Sequence, residues 1–245
     1  MGGQLAVVPG LDVRPVSGPV HRSIVVVDVE ASTTRMNPER GELRRVLYAL
    51  LEQALYVAGI TAGHLEPMAD RGDGVLILIK PHDDVPKTVL LGLFIPALAT
   101  LLAEHNTTVS RAALRMRLRA VVHAGEVHDD GKGFYGEDLD IAFRLLNAQK
   151  VKGALREAPA ASLVLVVSET IFAGIIRHRY VDACGYLPLV RVRVAERRHR
   201  GWIHLPAPGV PDRVAAIRRP ETPLLIPPRI IASADALRLD RRVSA

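Results

Sequence analysis

Apolar residues along the chain fall into two patterns, short unbroken runs and helically spaced sets, and together they predict an alternation of strands and helices. Residues 23–29 contain Ile24, Val25, Val26 and Val27 in succession, a run of β-branched side chains that reads as a buried strand. Pro38 opens a helix in which Leu43, Val46, Leu47, Leu50, Leu51 and Leu55 recur at helical spacing to about residue 57. Residues 64–68 and 75–79 read as short strands, joined by Ala69-Asp70-Arg71-Gly72-Asp73-Gly74 with the Asp-Gly step of a hairpin. A second helix is predicted over residues 86–105.

Leu114-Arg115-Met116-Arg117-Leu118-Arg119-Ala120 alternates strictly, which predicts a strand with one apolar face and one basic, solvated face. That strand continues to His123, and residues 125–136 form a polar, Gly-rich hairpin or arm. A third helix carries Leu139, Ala142, Leu145, Leu146 and Ala148. Then come a buried strand at 163–167, a short helix at 169–176, an alternating strand at 189–194 and a last edge strand at 202–205. The order predicts an α+β fold, a ferredoxin-like β-α-β-β-α-β core with helices on one face and additional C-terminal αβ elements. Residues 1–21 read as a flexible leader and 22–206 as the folded domain. Residues 207–245 read as a Pro/Arg-rich tail with one short docking segment at 224–231.

Composition narrows the function classes. Hydrophobic residues make up 49% of the 245, enough for a sizeable core, while aromatics are only 4%. The net charge of +6 suits an acidic partner. Sparse aromatics and basic blocks argue against nucleic acid, and a phosphate-bearing small molecule satisfies the same charge. The basic face of Arg115, Arg117 and Arg119, with Arg191 and Arg193, reads as solvated rather than as a nucleic-acid surface. The lone Cys184 excludes an internal disulfide and fits a cytoplasmic setting. The longest apolar run, 89–102, is too short for a membrane span and reads as a buried helix. His64, His82 and His199 show no metal-ligand spacing.

The chemistry concentrates at the end of the first strand. Asp28 stands where the apolar run stops, and a carboxylate there needs a compensating positive charge. The hydroxyl-bearing small residues after it, within Glu30-Ala31-Ser32-Thr33, suit a close approach of backbone to phosphate. In a ferredoxin-like sheet the first strand neighbours the central hairpin, so Asp28 and Asp73 converge. Two close carboxylates repel, and Mg²⁺ or Mn²⁺ relieves that conflict.

Four blocks then carry a family resemblance. Asp28-Val29-Glu30-Ala31-Ser32-Thr33 resembles the first metal motif of the class III nucleotidyl cyclases in its bacterial Asp-Ile-Glu-Gly-Ser-Thr form. Arg71-Gly72-Asp73-Gly74 is similar to their hairpin with the second metal aspartate. His123-Ala124-Gly125-Glu126-Val127 is similar to their His-x-Gly-x-Val strand. Gly136-Glu137-Asp138-Leu139-Asp140-Ile141-Ala142-Phe143-Arg144-Leu145 resembles their Gly-x-x-Val-Asn-x-Ala-x-Arg-Leu helix. The blocks follow family order across most of the chain.

The resemblance implies that Asp28 and Asp73, with the Val29 carbonyl, hold two divalent ions, and that amides of Glu30, Ala31, Ser32 and Thr33 cradle the phosphates of a nucleoside triphosphate. It further implies that Arg144 steadies the α-phosphate while a 3′,5′-cyclic nucleotide forms, and that two copies associate head to tail around composite sites. The chain departs from the family pattern in several places. Asp140 replaces the ribose-orienting Asn. Ala69 and Gly133 stand at the two base-selecting positions, with Gly72 in the hairpin between the strands. The expected Lys near Ala195 is missing, with Arg193, Arg197 and Arg198 nearby. These departures leave base preference open. They also admit a catalytically degenerate domain that binds nucleotide or dimerises under a regulatory partner protein. A DnaQ-like exonuclease shares the Asp-x-Glu opening, but its later His and Asp spacing is not met.

Overall fold

Residues 18–209 are described by a computed structural model. The leader up to residue 17 and the tail from residue 210, including the 224–231 docking segment, lie outside the described residues. Strand β1 (Val20–Val29) takes Val20 and His21 from the expected leader, and residues 207–209 continue the ordered chain. There Gly209 donates from its amide to Thr100 Oγ1 at 3.2 Å.

Helix α1 (Asn37–Val57) begins with Pro in its first turn, where the missing N–H costs nothing. The Glu39 carboxylate accepts the Met36 N–H at 3.2 Å and closes that end. The hairpin strands are β2 (Ala69–Asp70) and β3 (Gly74–Ile79). The expected 64–68 strand is reduced to an isolated bridge, Leu65 to Ile79, and the pairing with β3 resumes in β2, within the expected linker. Pro67, lying between them, has no N–H to give a ladder.

Helix α2 (Lys87–Val89) passes through a π turn (Leu90–Phe94) into α3 (Ile95–Thr108). The whole 87–108 segment has the length and apolarity of a membrane span, yet in the fold its apolar side chains pack against α1 and the sheet. After it come β4 (Leu118–Asp129), β5 (Phe134–Tyr135), α4 (Glu137–Leu146), α5 (Gln149–Glu157) and β6 (Leu163–Ser168). Helix α6 (Glu169–Ile171) with a further π turn leads to the hairpin of β7 (Leu187–Val194) and β8 (Arg197–His204).

The sheet order is β2-β3-β1-β4-β6-β8-β7, with β5 paired to β4. Its β2-β3-β1-β4 part is the ferredoxin-like arrangement the sequence predicts. Three expectations change. Helices cover both faces rather than one: Val25, Val27 and Val29 pack against α1 and α3, while Ile24 and Val26 pack against α4 and α5. An unbroken Val/Ile run is what a strand buried on both faces requires. Helix α5, which the apolar pattern missed, contributes only Val151 and Leu155 to the core. Residues 202–204 of the expected 202–205 edge strand belong to β8, an inner strand between β6 and β7, so the edge is β7.

Candidate functional site

Register brings the site together. Asp28, the penultimate residue of β1, lies opposite Gly74 of β3 on one side and Arg119 of β4 on the other. A Cβ on Gly74 would meet the Val27 carbonyl oxygen at 2.5 Å, so only glycine lets the hairpin close against β1 here. The Val29 amide donates to the Asp73 carbonyl at 3.0 Å and locks the hairpin turn onto the strand end. Gly72 holds the turn with φ +84°, and its amide donates to Asp70 Oδ1 at 2.7 Å.

Arg119 Nη2 donates to Asp28 Oδ2 at 2.6 Å, and both side chains are largely buried. Asp28 Oδ1 is buried without a hydrogen-bond partner, as are Arg119 Nε and Nη1. Burial pushes the Asp28 carboxyl above the ordinary carboxylate value. Arg119 opposes that shift, the Asp73 charge adds to it, and Lys152 on α5 opposes it in smaller measure. An orphaned carboxylate oxygen beside a second carboxylate is a donor set that fits a hard divalent cation, so Asp28, Asp73 and the Val29 carbonyl suit Mg²⁺ or Mn²⁺.

The turn after β1 is tied down by arginines. Arg35 donates from Nη1 to the Glu30 carbonyl at 2.9 Å and from Nη2 to the Arg115 carbonyl at 3.0 Å. Ala31 sits in the left-handed region at φ 53°, opening a 3-10 turn over Ser32–Thr34. The Glu30 amide donates to the Arg117 carbonyl at 2.9 Å, so it is committed, and the expected phosphate cradle narrows to Ala31, Ser32 and Thr33. The first amides of such a turn have no partner within it.

The basic alternation of residues 115–119 is therefore a solvated face only in part: Arg115 is exposed as expected, like Arg191 and Arg193, while Arg117 and Arg119 turn inward. Arg117 pairs with Glu30 at 3.4 Å and donates to carbonyls of Ala158 and Ala161, while Arg119 is 8% exposed. The carboxylates of Glu30 and Asp28 and the loop carbonyls captured them, a requirement that the two-residue period of a strand does not reveal. Sequence reasoning missed Arg119, and the one available signal was its register against Asp28.

Helix α4 presents Asp140 and Arg144 one turn apart, both exposed. Arg144 thus points away from its own core. Asp140 lines a cleft of about 490 Å³ together with Arg71, Tyr135, Gly136, Phe143 and Ala195. The Arg71 guanidinium stands 5.4 Å over the Phe143 ring and links hairpin to helix. Ala69 lies on β2, half-buried, and Gly133 is exposed in the β4–β5 turn, where its amide donates to Asp130 Oδ1 at 2.9 Å.

The His-x-Gly block has a physical purpose in the fold. His123 Nε2 lies 2.9 Å from Asp138 Oδ1 and its Nδ1 lies 2.7 Å from Ser168 Oγ. Asp138 Oδ2 accepts the Glu126 amide at 2.7 Å, directly over Gly125. This brace anchors the start of α4 to β4 and β6, and so sets where Arg144 and Asp140 emerge.

No protein-family model matches the sequence, and no curated protein does. The fold is nevertheless that of nucleotidyl cyclase catalytic domains. It is similar to the guanylyl cyclase Cya2, at 17% identity over 77% of this chain and 93% of that one, with a TM-score of 0.56. An adenylate/guanylate cyclase/hydrolase from Silicibacter pomeroyi is 17% identical over 78% of this chain and 99% of that one, with a TM-score of 0.55. The catalytic core of a rhodopsin-guanylyl cyclase with converted specificity, in complex with ATPαS, is 12% identical over 78% and 99%, with a TM-score of 0.52.

Proposed function

We propose that residues 22–206 form a nucleotidyl cyclase that converts a nucleoside triphosphate to its 3′,5′-cyclic nucleotide and pyrophosphate. One observation carries this reading. Asp28 is a largely buried carboxylate with one oxygen held by Arg119 and the other orphaned, at a strand end that a glycine hairpin bearing Asp73 closes over. The similarity of the whole fold to cyclase domains supports it.

Asp28 Oδ1, Asp73 and the Val29 carbonyl hold divalent ions, Mg²⁺ or Mn²⁺, which when bound neutralise triphosphate charge and make the ribose 3′-hydroxyl more acidic. The amides of Ala31, Ser32 and Thr33 face the β- and γ-phosphates. Arg119 opposes the burial that raises the Asp28 carboxyl and fixes its rotamer. In the reaction the 3′ oxygen forms a bond to the α-phosphorus, loses its proton, and the bond from that phosphorus to pyrophosphate breaks. Charge builds on the α-phosphate oxygens, and an arginine there stabilises the transition state. Arg144 is exposed on α4, so it serves a second copy's Asp28 in a head-to-tail dimer. Asp140 accepts a hydrogen bond from a ribose hydroxyl.

The test incubates the protein with Mn²⁺ and each of ATP, GTP, CTP and UTP and looks for cyclic product by mass. Product from at least one nucleotide, lost in Asp28→Asn, is expected. Nucleotide binding without product from any of the four would replace catalysis with a binding domain, the outcome that Asp140 in place of Asn favours. Absence of both would overturn the reading.

A further inference from the structure

A second cluster of ligand-type side chains lies near the other end of β3, away from Asp73. His64 closes a 3-10 turn (Ala62–His64) before β2, and His82 and Asp84 follow the end of β3. Their spacing in sequence gives no hint of a site. Cross-strand pairing makes one: Leu65 bridges Ile79, the Lys80 amide donates to the His64 carbonyl at 2.8 Å, and the Glu66 amide donates to the Leu78 carbonyl at 2.9 Å. The turn after β3 is closed by the Val85 amide on the His82 carbonyl at 3.0 Å, which returns Asp84 to the same place. The two imidazole centroids are 4.8 Å apart, and one ligand atom from each of the three residues lies within 4.8 Å of the others.

We propose that His64, His82 and Asp84 form a binding site for a divalent transition ion of the Zn²⁺ class, a clip that joins the segment before β2 to the turn after β3. Two imidazoles and a carboxylate suit Zn²⁺ better than Mg²⁺, and three protein ligands leave a fourth position for water. The surroundings fit a cation. Lys80, two residues before His82, lies 3.9 Å from Glu66, which also binds Arg22, so its charge is engaged by that carboxylate. Asp84 pairs with His82 at 3.5 Å. Thr61 Oγ1 lies 3.3 Å from His64 Nδ1. With the imidazole proton on Nδ1, that hydroxyl accepts it in place of the present Thr61 amide contact at 3.1 Å, and the other ring nitrogen offers its lone pair. All three ligands reach solvent, so an ion has an entry path.

The experiment measures Zn²⁺ binding to the full chain by equilibrium dialysis, with Co²⁺ absorption as a second probe of coordination. It is run on the wild type and on an Asp28→Asn/Asp73→Asn chain, so that the site proposed for catalysis does not contribute. One Zn²⁺ per chain in that background is expected, with a rise in melting temperature. His82→Asn and Asp84→Asn, both at exposed positions, should each weaken binding by more than about tenfold, and Thr61→Val, which removes only a supporting hydroxyl, by about tenfold. Circular dichroism checks that each variant is folded. Absence of bound Zn²⁺ in the Asp28→Asn/Asp73→Asn chain, or affinity unchanged in both His82→Asn and Asp84→Asn, would overturn the assignment.

Discussion

Arg119 and Asp28 face each other across β4 and β1, with Nη2 2.6 Å from Oδ2, and that bond leaves one aspartate oxygen without a partner. The pair explains how a carboxylate can stay at the end of a buried strand. It also divides the aspartate's two oxygens between the fold and a ligand. A buried ion pair adds little over apolar packing, but removing one member strands the other.

Arg119→Met should therefore destabilise the chain by about 3–5 kcal/mol, measured by urea denaturation at neutral pH. Arg119→Lys should recover part of that loss, because the charge returns without the planar fork. A neutral result for Arg119→Met would show that Asp28 is solvated by something other than this arginine.

The raised carboxyl of Asp28 sets a pH dependence. Between the ordinary carboxylate value and the raised one, the folded chain binds more protons at this position than the unfolded chain. The stability of the wild type relative to Asp28→Asn should then fall as pH rises through that window, and level off above it. Denaturation curves at a series of pH values for both proteins give the difference directly. A difference that grows more favourable to the wild type as pH rises would contradict it.

Asp138 behaves in the opposite sense. Its bond with His123, and then the Glu126 amide, hold its carboxyl below the ordinary value. Its stabilisation is present above the unfolded carboxylate value and is lost as pH falls through the lowered one. A Cβ at Gly125 would lie 2.0 Å from Asp138 Cγ, so Gly125→Ala displaces that carboxylate. The substitution should cost about 1.5–3 kcal/mol for each charge-assisted bond lost and make the acid-side decline shallower, both read from denaturation midpoints.

A composite site makes a quantitative prediction. Asp28→Asn and Arg144→Ala should each be inactive as homodimers. An equal mixture should regain about a quarter of wild-type turnover, because half the dimers are mixed and each of those has one intact site of two. Arg144→Ala alone should change stability by less than about 0.5 kcal/mol, since the side chain is exposed. Failure of the mixture to recover any activity, with wild-type activity present, would place both residues in one subunit's site.

Much of the frame was legible in the chain. The Ile24–Val27 run, the Leu43–Leu55 spacing and the Asp-Gly step place β1, α1 and the hairpin, because hydrogen bonding and side-chain period are local properties. The positions of Asp28 and Asp73 at a strand end and a turn followed from the same patterns. Other features depended on partners distant in sequence. Arg117 and Arg119 read as solvated until β-sheet register set them against Glu30 and Asp28, 87 and 91 residues away, respectively. His64 and His82 carried no ligand spacing until the Leu65–Ile79 bridge brought them side by side. Helix α5 was missed because two buried residues leave too faint a period. Sequence determined which segments become strands, helices and turns, and where acidic residues end them. Tertiary structure decided which charges meet, because register and packing, not spacing along the chain, fix the distances over which electrostatics acts.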